Sequence, residues 1–193
     1  MAGGTVRRNL VLFGAPGSGK GTQAELLREH YGLDHIAPGD MLRQHRDQGT
    51  ELGRVASGYM AAGKLVPDEI IVNMIRRRLE GEAGGLGFVL DGFPRTLAQA
   101  RALQELLAHL DRPLDMVVVL DVPAEVIMGR LGRRAQEEHR DDDRPDVIKE
   151  RLQVYRQQTE PVLEYLGREV SVVHVNGAGT TEDVSHALVA LLA

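Results

Sequence analysis

The sequence predicts an α/β fold, a parallel five-stranded sheet with helices on both faces, and three observations predict it. Short apolar or β-branched runs alternate with helical patterns along the whole chain, the order that a parallel sheet covered by helices leaves in a sequence. The first run, Asn9 to Phe13, breaks directly into Gly14-Ala15-Pro16-Gly17-Ser18-Gly19-Lys20-Gly21-Thr22 and then into a helical pattern. The 193 residues are 42% apolar and 26% charged, enough for one sizeable core. No repeat, low-complexity tract or linker divides residues 1–193, so one domain is expected.

Strands are expected at Asn9–Phe13, His35–Ile36, Gly87–Leu90, Met116–Leu120 and Val170–Val175. A helix over Gly21–Tyr31 stops at Gly32. Pro67 opens another, with Asp68 and Glu69 in its first turn and Ile71, Met74, Ile75 and Leu79 as its apolar stripe. Thr96–Leu110, Pro123–Ala135, Pro145–Leu166 and Thr181–Leu192 complete the helices. Two regions interrupt the alternation. Gly39–Leu79 packs three helical stretches between the second and third strands, more than one crossover needs, and is expected to project as a small helical insertion. Gln136–Arg144 is charged or polar throughout, has no apolar anchor and is expected to be a mobile loop. Both should flank the Gly-rich turn, because ligands of an open α/β sheet bind outside the carboxyl ends of its strands.

That turn has the chemistry of a phosphate-binding loop. Glycines permit positive φ and let an anion approach backbone N–H groups, and the following helix adds the positive end of its macrodipole. Lys20 supplies a point charge for β- and γ-phosphates. Gly21 follows it, so no hydroxyl stands at the usual Mg²⁺-ligand position, and the metal must be held by phosphates, waters or an acid elsewhere. The third strand ends in Leu90-Asp91-Gly92-Phe93-Pro94-Arg95-Thr96, and Asp91 at a strand end can hold Mg²⁺ through waters.

The remaining composition narrows the partners. A net charge of −5 argues against nucleic acid, since phosphate backbones select a basic face. The chain has no cysteine, which excludes disulfides and thiolate metal sites and suits a reducing compartment. No apolar run approaches a membrane span or a signal peptide, so the expected location is the cytoplasm, with the first eight residues a frayed tail. Arg76-Arg77-Arg78 reads as the solvated face of its helix, and the seven histidines show no metal-binding spacing.

Together, Gly14 to Thr22, Gly39-Asp40-Met41-Leu42-Arg43, Leu65-Val66-Pro67-Asp68, Asp91-Gly92-Phe93-Pro94-Arg95 and the run Arg140 to Asp143 resemble the adenylate kinases, within the nucleoside monophosphate kinases of the P-loop nucleoside triphosphate hydrolase-like fold. The resemblance extends over about Asn9 to Leu192. It implies transfer of the γ-phosphoryl group of ATP to AMP by an Mg²⁺-dependent monomer. Gly17, Ser18, Gly19, Lys20, Gly21, Thr22, Arg130, Arg134 and Gly179 would bind ATP. Pro38, Arg43, Lys64, Leu65, Val66, Gly92, Arg95, Gln99, Arg140 and Arg151 would bind AMP. Lys20, Arg95, Arg130, Arg134, Arg140 and Arg151 would act on the transferring phosphates, with Asp91 on the metal. Residues 38–66 would form the monophosphate-binding insertion and 135–144 a short lid.

The arginines also make sense from charge alone. Two polyanions repel each other, and a site that joins them needs fixed cations whose planar guanidinium groups bind phosphate oxygens bidentately. Ala37-Pro38-Gly39-Asp40 departs from the family's Ser-Thr-Gly-Asp, and a small apolar residue at Pro38 is the pyrimidine-kinase pattern. Gln99 favours adenine, leaving UMP or CMP as the alternative acceptors. A nucleotide-dependent switch is the other alternative, and it lacks an Asn-Lys-x-Asp guanine motif.

Overall fold

Five parallel strands, β1 (Arg8–Phe13), β2 (Asp34–Ile36), β3 (Gly87–Asp91), β4 (Met116–Asp121) and β5 (Ser171–Asn176), form one sheet in the order β2-β3-β1-β4-β5. The computed structural model describes residues 8–81, 86–138 and 141–193. Arg140, residues 1–7 of the expected tail and part of Gln136–Arg144 therefore lie outside the described residues. β1 is central. Its register places Leu12 opposite Asp91 on β3 and Val118 on β4, so the Gly-rich turn and the acid at the end of β3 emerge side by side.

The period of two along the strands divides the core. Leu10, Leu12, Val89, Val118 and Leu120 pack on Ala24 and Leu27 of α1 (Lys20–Tyr31) and on Val184, Leu188 and Leu192 of α9 (Thr181–Leu192). Val11, Phe13, Phe88, Leu90, Val117 and Val119 face the other way. They meet α4 (Asp68–Gly81), α5 (Leu97–His109) and α8 (Glu160–Leu166) through residues such as Ile75, Leu103 and Val162.

The expected helical insertion is α2 (Pro38–Asp47), α3 (Glu51–Ala61) and α4. Thr50 caps α3 by accepting the Gly53 N–H at 3.1 Å. A Cβ on Gly53 would lie 2.3 Å from the carbonyl oxygen of His45, so α2 and α3 approach as closely as they do because this residue has no side chain.

Two elements differ from expectation. The helix expected over Pro145–Leu166 is three pieces, α7 (Pro145–Val154), a π turn over Tyr155–Thr159, and α8. Pro161 has no N–H to donate, so an unbroken i→i−4 ladder cannot pass this point. The wide turn brings Thr159 Oγ to donate to the Arg95 carbonyl at 3.0 Å. The second difference is the charged run after α6 (Ala124–Glu138), which begins inside that helix and continues as a 3₁₀ turn at Asp141–Asp143. Asp143 is only 1% exposed, so the anchor that the run lacks among apolar side chains is an ionic one. Among the described residues, no helix is long and apolar enough to cross a membrane.

Candidate active site

Two hollows of about 380 Å³ each open at the carboxyl end of the sheet, and they share Gly17, Gly19, Thr22 and Arg134. Gly14, Gly17 and Gly19 of the shared loop all have positive φ, as an inward-facing row of N–H groups requires. The Lys20 ammonium lies across the loop and donates to the carbonyls of Gly14 at 2.8 Å and Ala15 at 3.0 Å. Burial, together with Arg95, Arg151 and Arg134, brings its pKa down to about 8 despite the nearby Asp91. The loop thus holds a cation short of anions.

Asp91 stands beside the first turn of α1. A Cβ on Gly21 would come within 3.3 Å of Asp91 Oδ2, so glycine here leaves the carboxylate its space. Burial works to raise the Asp91 pKa, but His35, Lys20 and Arg95 outweigh it and keep the group ionised below the usual carboxylate range. His35 bridges toward two acids, with Nδ1 3.4 Å from Glu25 and Nε2 3.7 Å from Asp91. Among the described residues there is no group of three or more histidines, cysteines or acids able to hold a metal ion. The donor set that exists is one ionised carboxylate next to a phosphate-binding loop, which fits an ion that keeps its waters and is otherwise held by phosphates.

The first hollow gathers Pro38 and Arg43 from α2, the segment Lys64, Leu65 and Val66 that follows α3, and Gly92, Arg95 and Gln99 after β3. Arg43 pairs with Asp40 one turn earlier. Desolvation of the half-buried Arg95, with the charge of Arg151, lowers its pKa, and its Nε donates to the Gly92 carbonyl at 2.6 Å. Gln99 is 2% exposed. Its Oε1 accepts the Arg95 N–H at 2.7 Å and its Nε2 donates to Asp68 Oδ1 at 2.7 Å. Asp68, which the sequence reading gives as a helix-start acid and the last residue of the Leu65-Val66-Pro67-Asp68 motif without a role of its own, is thus tied to the site.

The second hollow is closed by Arg130, which donates to the carbonyls of Ser18 at 3.2 Å and Gly179 at 3.1 Å. Arg134 and Arg151 meet at the boundary of the two hollows, on buried Asp143. Arg134 donates to both carboxylate oxygens at 2.5 and 2.7 Å, while Arg151 adds a bond of 2.7 Å and pairs with Asp142 at 3.0 Å. Asp142 and Asp143 enter the sequence reading only as members of the Arg140 to Asp143 run and of the expected lid, with no pairing to Arg134 or Arg151. The structure therefore brings together every predicted site residue except Arg140, which lies outside the described residues.

Comparison with known proteins agrees with this geometry. The family model described as adenylate kinase matches residues 12–170. The adenylate kinase of Phocaeicola vulgatus is 44% identical over 94% of this chain and 96% of its own length. Those of Stenotrophomonas maltophilia and Xylella fastidiosa are 45% and 46% identical, each over 95% of this chain and 98% of their own length.

Proposed function

We propose, for a chain that belongs to the adenylate kinase family, that the two hollows hold ATP and AMP and that the protein moves the γ-phosphoryl group of ATP to AMP, giving two ADP. The observation that carries this reading is the shared wall. Two nucleotides placed in hollows that have the phosphate loop and Arg134 in common meet at their phosphates, not at their bases.

In that arrangement the second hollow takes ATP, with its phosphates on the loop N–H groups and Lys20, and its adenine toward Gly179. The first hollow takes AMP, with its phosphate on Arg43 and Arg95 and its base on Gln99 and the Lys64–Val66 segment. An oxygen of the AMP phosphate attacks the γ-phosphorus, the bond from that phosphorus to the β–γ bridging oxygen breaks, and the bridging oxygen leaves on ADP. The attacking phosphate has a second pKa near 6, so it is largely a dianion at neutral pH and needs no strong base. Catalysis is then positioning and charge, with Lys20, Arg95, Arg134 and Arg151 facing oxygens whose charge shifts during transfer. Arg140 belongs to the same set by its place in the sequence.

Asp91 would hold Mg²⁺ through waters, and the ion would neutralise charge on the β- and γ-phosphates. Residues 38–66 serve as the acceptor-binding insertion and 135–144 as a short lid. A monomer in the cytoplasm belongs to the same proposal.

ADP formation from ATP with AMP, CMP, UMP and GMP, under a titration of Mg²⁺, tests the reading. AMP should be the best acceptor. Asp91→Asn should raise the Mg²⁺ requirement of the rate about tenfold, as loss of a metal-orienting partner does, while leaving metal-free nucleotide binding nearly unchanged. A pyrimidine monophosphate outrunning AMP would transfer the assignment to another acceptor.

A further inference from the structure

Asp68 is a carboxylate at the start of α4 that pairs with neither Arg43 nor Arg95. Two hydrogen bonds reach it, and two more link its partners into the floor of the first hollow. The Arg95 N–H donates to Gln99 Oε1 at 2.7 Å, and Gln99 Nε2 donates to Asp68 Oδ1 at 2.7 Å. The Thr96 hydroxyl donates to Asp68 Oδ2 at 3.0 Å and accepts the Gln99 backbone N–H at 3.1 Å. From this geometry we infer that Asp68 is a specificity-determining residue, one that locks the Gln99 amide in a single orientation and so selects bases by their donor–acceptor order.

A glutamine amide has two N–H donors and two acceptor lone pairs. Here one donor is spent on Asp68 and one lone pair on Arg95. One N–H and one lone pair remain, in fixed positions. Turning the amide over would set its oxygen against the Asp68 carboxylate, which only accepts, and its NH₂ against the Arg95 N–H, which only donates. Both contacts would be repulsive in a site where Gln99 is 2% exposed. The orientation thus follows from the chemistry of its neighbours, whichever way the two amide atoms would otherwise be assigned.

This rests on the reading that Gln99 meets the acceptor base. An adenine presents an amino donor beside a ring-nitrogen acceptor, and the remaining oxygen and N–H of Gln99 match that order. Hypoxanthine presents the mirrored order, a carbonyl acceptor beside a ring N–H. AMP and IMP differ only at this edge, so their ratio reports the orientation of the amide and little else. Asp68 touches no substrate on this account and acts through Gln99.

Asp68→Asn is the informative variant. The Thr96 hydroxyl donates to residue 68 while accepting from the Gln99 backbone, and it keeps that donated bond when the new amide oxygen takes the Thr96 side. The new NH₂ then faces Gln99 and favours the reversed amide. Asp68→Ala removes the lock without favouring reversal. Specificity constants for AMP and IMP, with ATP saturating, should be measured in the wild type, both variants and Gln99→Leu. The wild type should prefer AMP by about 100-fold or more, as expected where a buried polar group would be left unpaired. Asp68→Asn should narrow that preference at least about tenfold through an absolute gain with IMP, and Asp68→Ala should narrow it less, because only the first reverses the hydrogen-bond order. The KM for ATP should stay unchanged in both. Equal fractional losses for AMP and IMP in Asp68→Asn, or a larger narrowing in Asp68→Ala, would overturn the inference and leave Asp68 a structural residue. If Gln99→Leu collapses the preference and Asp68→Asn does not, the inference fails alone. If Gln99→Leu leaves the preference intact, the base is not read by Gln99 and both readings fail.

Discussion

The two sides of the cleft satisfy their polar groups in opposite ways. On the side of Gln99, the hydrogen bonds among Asp68, Thr96, Arg95 and the amide leave one donor and one acceptor on a residue that lines the hollow. On the side of Arg134 and Arg151, the guanidinium groups face Asp142 and Asp143, on the donors that a phosphate would use. The first side needs no rearrangement before a base arrives. The second must exchange carboxylates for phosphates. The difference follows from the ligands. A neutral base edge is distinguished by the order of its donors and acceptors, which only a preset orientation can read. A triphosphate is recognised by charge, and cations gathered without counter-ions repel one another, so internal carboxylates neutralise them until the substrate comes.

Lys20 lies between the two sides and gives the sharpest test of that contrast. Its pKa, brought down to about 8 chiefly by burial and further by Arg95, Arg151 and Arg134, marks a cation held out of water and crowded by other cations. If bound phosphates relieve the crowding, Lys20→Met should lower turnover by about 10³ or more while the fold persists, a loss of the size seen when a charge on transferring phosphate is removed. The pH dependence has a defined sign. The charged form binds phosphate and is present below about pH 8, so kcat/KM for ATP should fall by about tenfold per pH unit above that value. In the complex the phosphates favour the ammonium, and kcat should hold to higher pH. Lys20→Arg should lose the alkaline limb of kcat/KM altogether. Coincident limbs in kcat and kcat/KM would mean that no phosphate sits on Lys20.

Asp143 tests the provisional side directly. The residue is 1% exposed and pairs with both Arg134 and Arg151. Asp143→Asn leaves two partly buried cations without their shared carboxylate, and should destabilise the free protein by about 3 kcal/mol, the usual scale for breaking a buried pair. Saturating ATP supplies the missing anions, so urea unfolding with ATP should show a clearly smaller loss. The same loss with and without ATP would make this cluster a permanent strut, and the contrast between the two sides would disappear.

Legibility in the sequence divided along the same line. The phosphate loop, the five strands and Arg95 are readable as local patterns, a glycine spacing, a β-branched run and a motif at a strand end, whereas the other arginine positions come from the family resemblance. What escaped was long-range. Asp68 looked like a helix-start acid, because its bond to Gln99 spans 31 positions and depends on how α4 packs against α5. The run ending in Asp143 reads as a mobile lid loop, because nothing local shows that Arg134 and Arg151 close over it. The π turn at Tyr155–Thr159 was hidden within a helical pattern, although Pro161 was its visible cause. The amide of Gln99 could have turned freely on sequence grounds alone, and only its two fixed neighbours remove that freedom.

The smallest expected effect is at Pro38, the position where the chain leaves its family's pattern. Pro38 is buried at the start of α2 and lines the first hollow, where its ring replaces a hydroxyl. If base selection resides in the locked amide, Pro38→Thr adds a hydroxyl beside a slot whose donor–acceptor order is already decided. The AMP to IMP ratio should then change by less than about fivefold, the scale of one hydrogen bond and well below the discrimination of a buried polar pair. CMP is the contrasting competitor. Its amino group and ring nitrogen present the same order as adenine, so Gln99 cannot reject it by orientation, and only the size and lining of the slot can. UMP presents the mirrored order and should stay poor in both forms. If Pro38→Thr changes the AMP to IMP ratio more than Asp68→Asn does, the donor–acceptor order is read by the slot wall and not by the amide, and the preset side of the cleft is no more decisive than the provisional one.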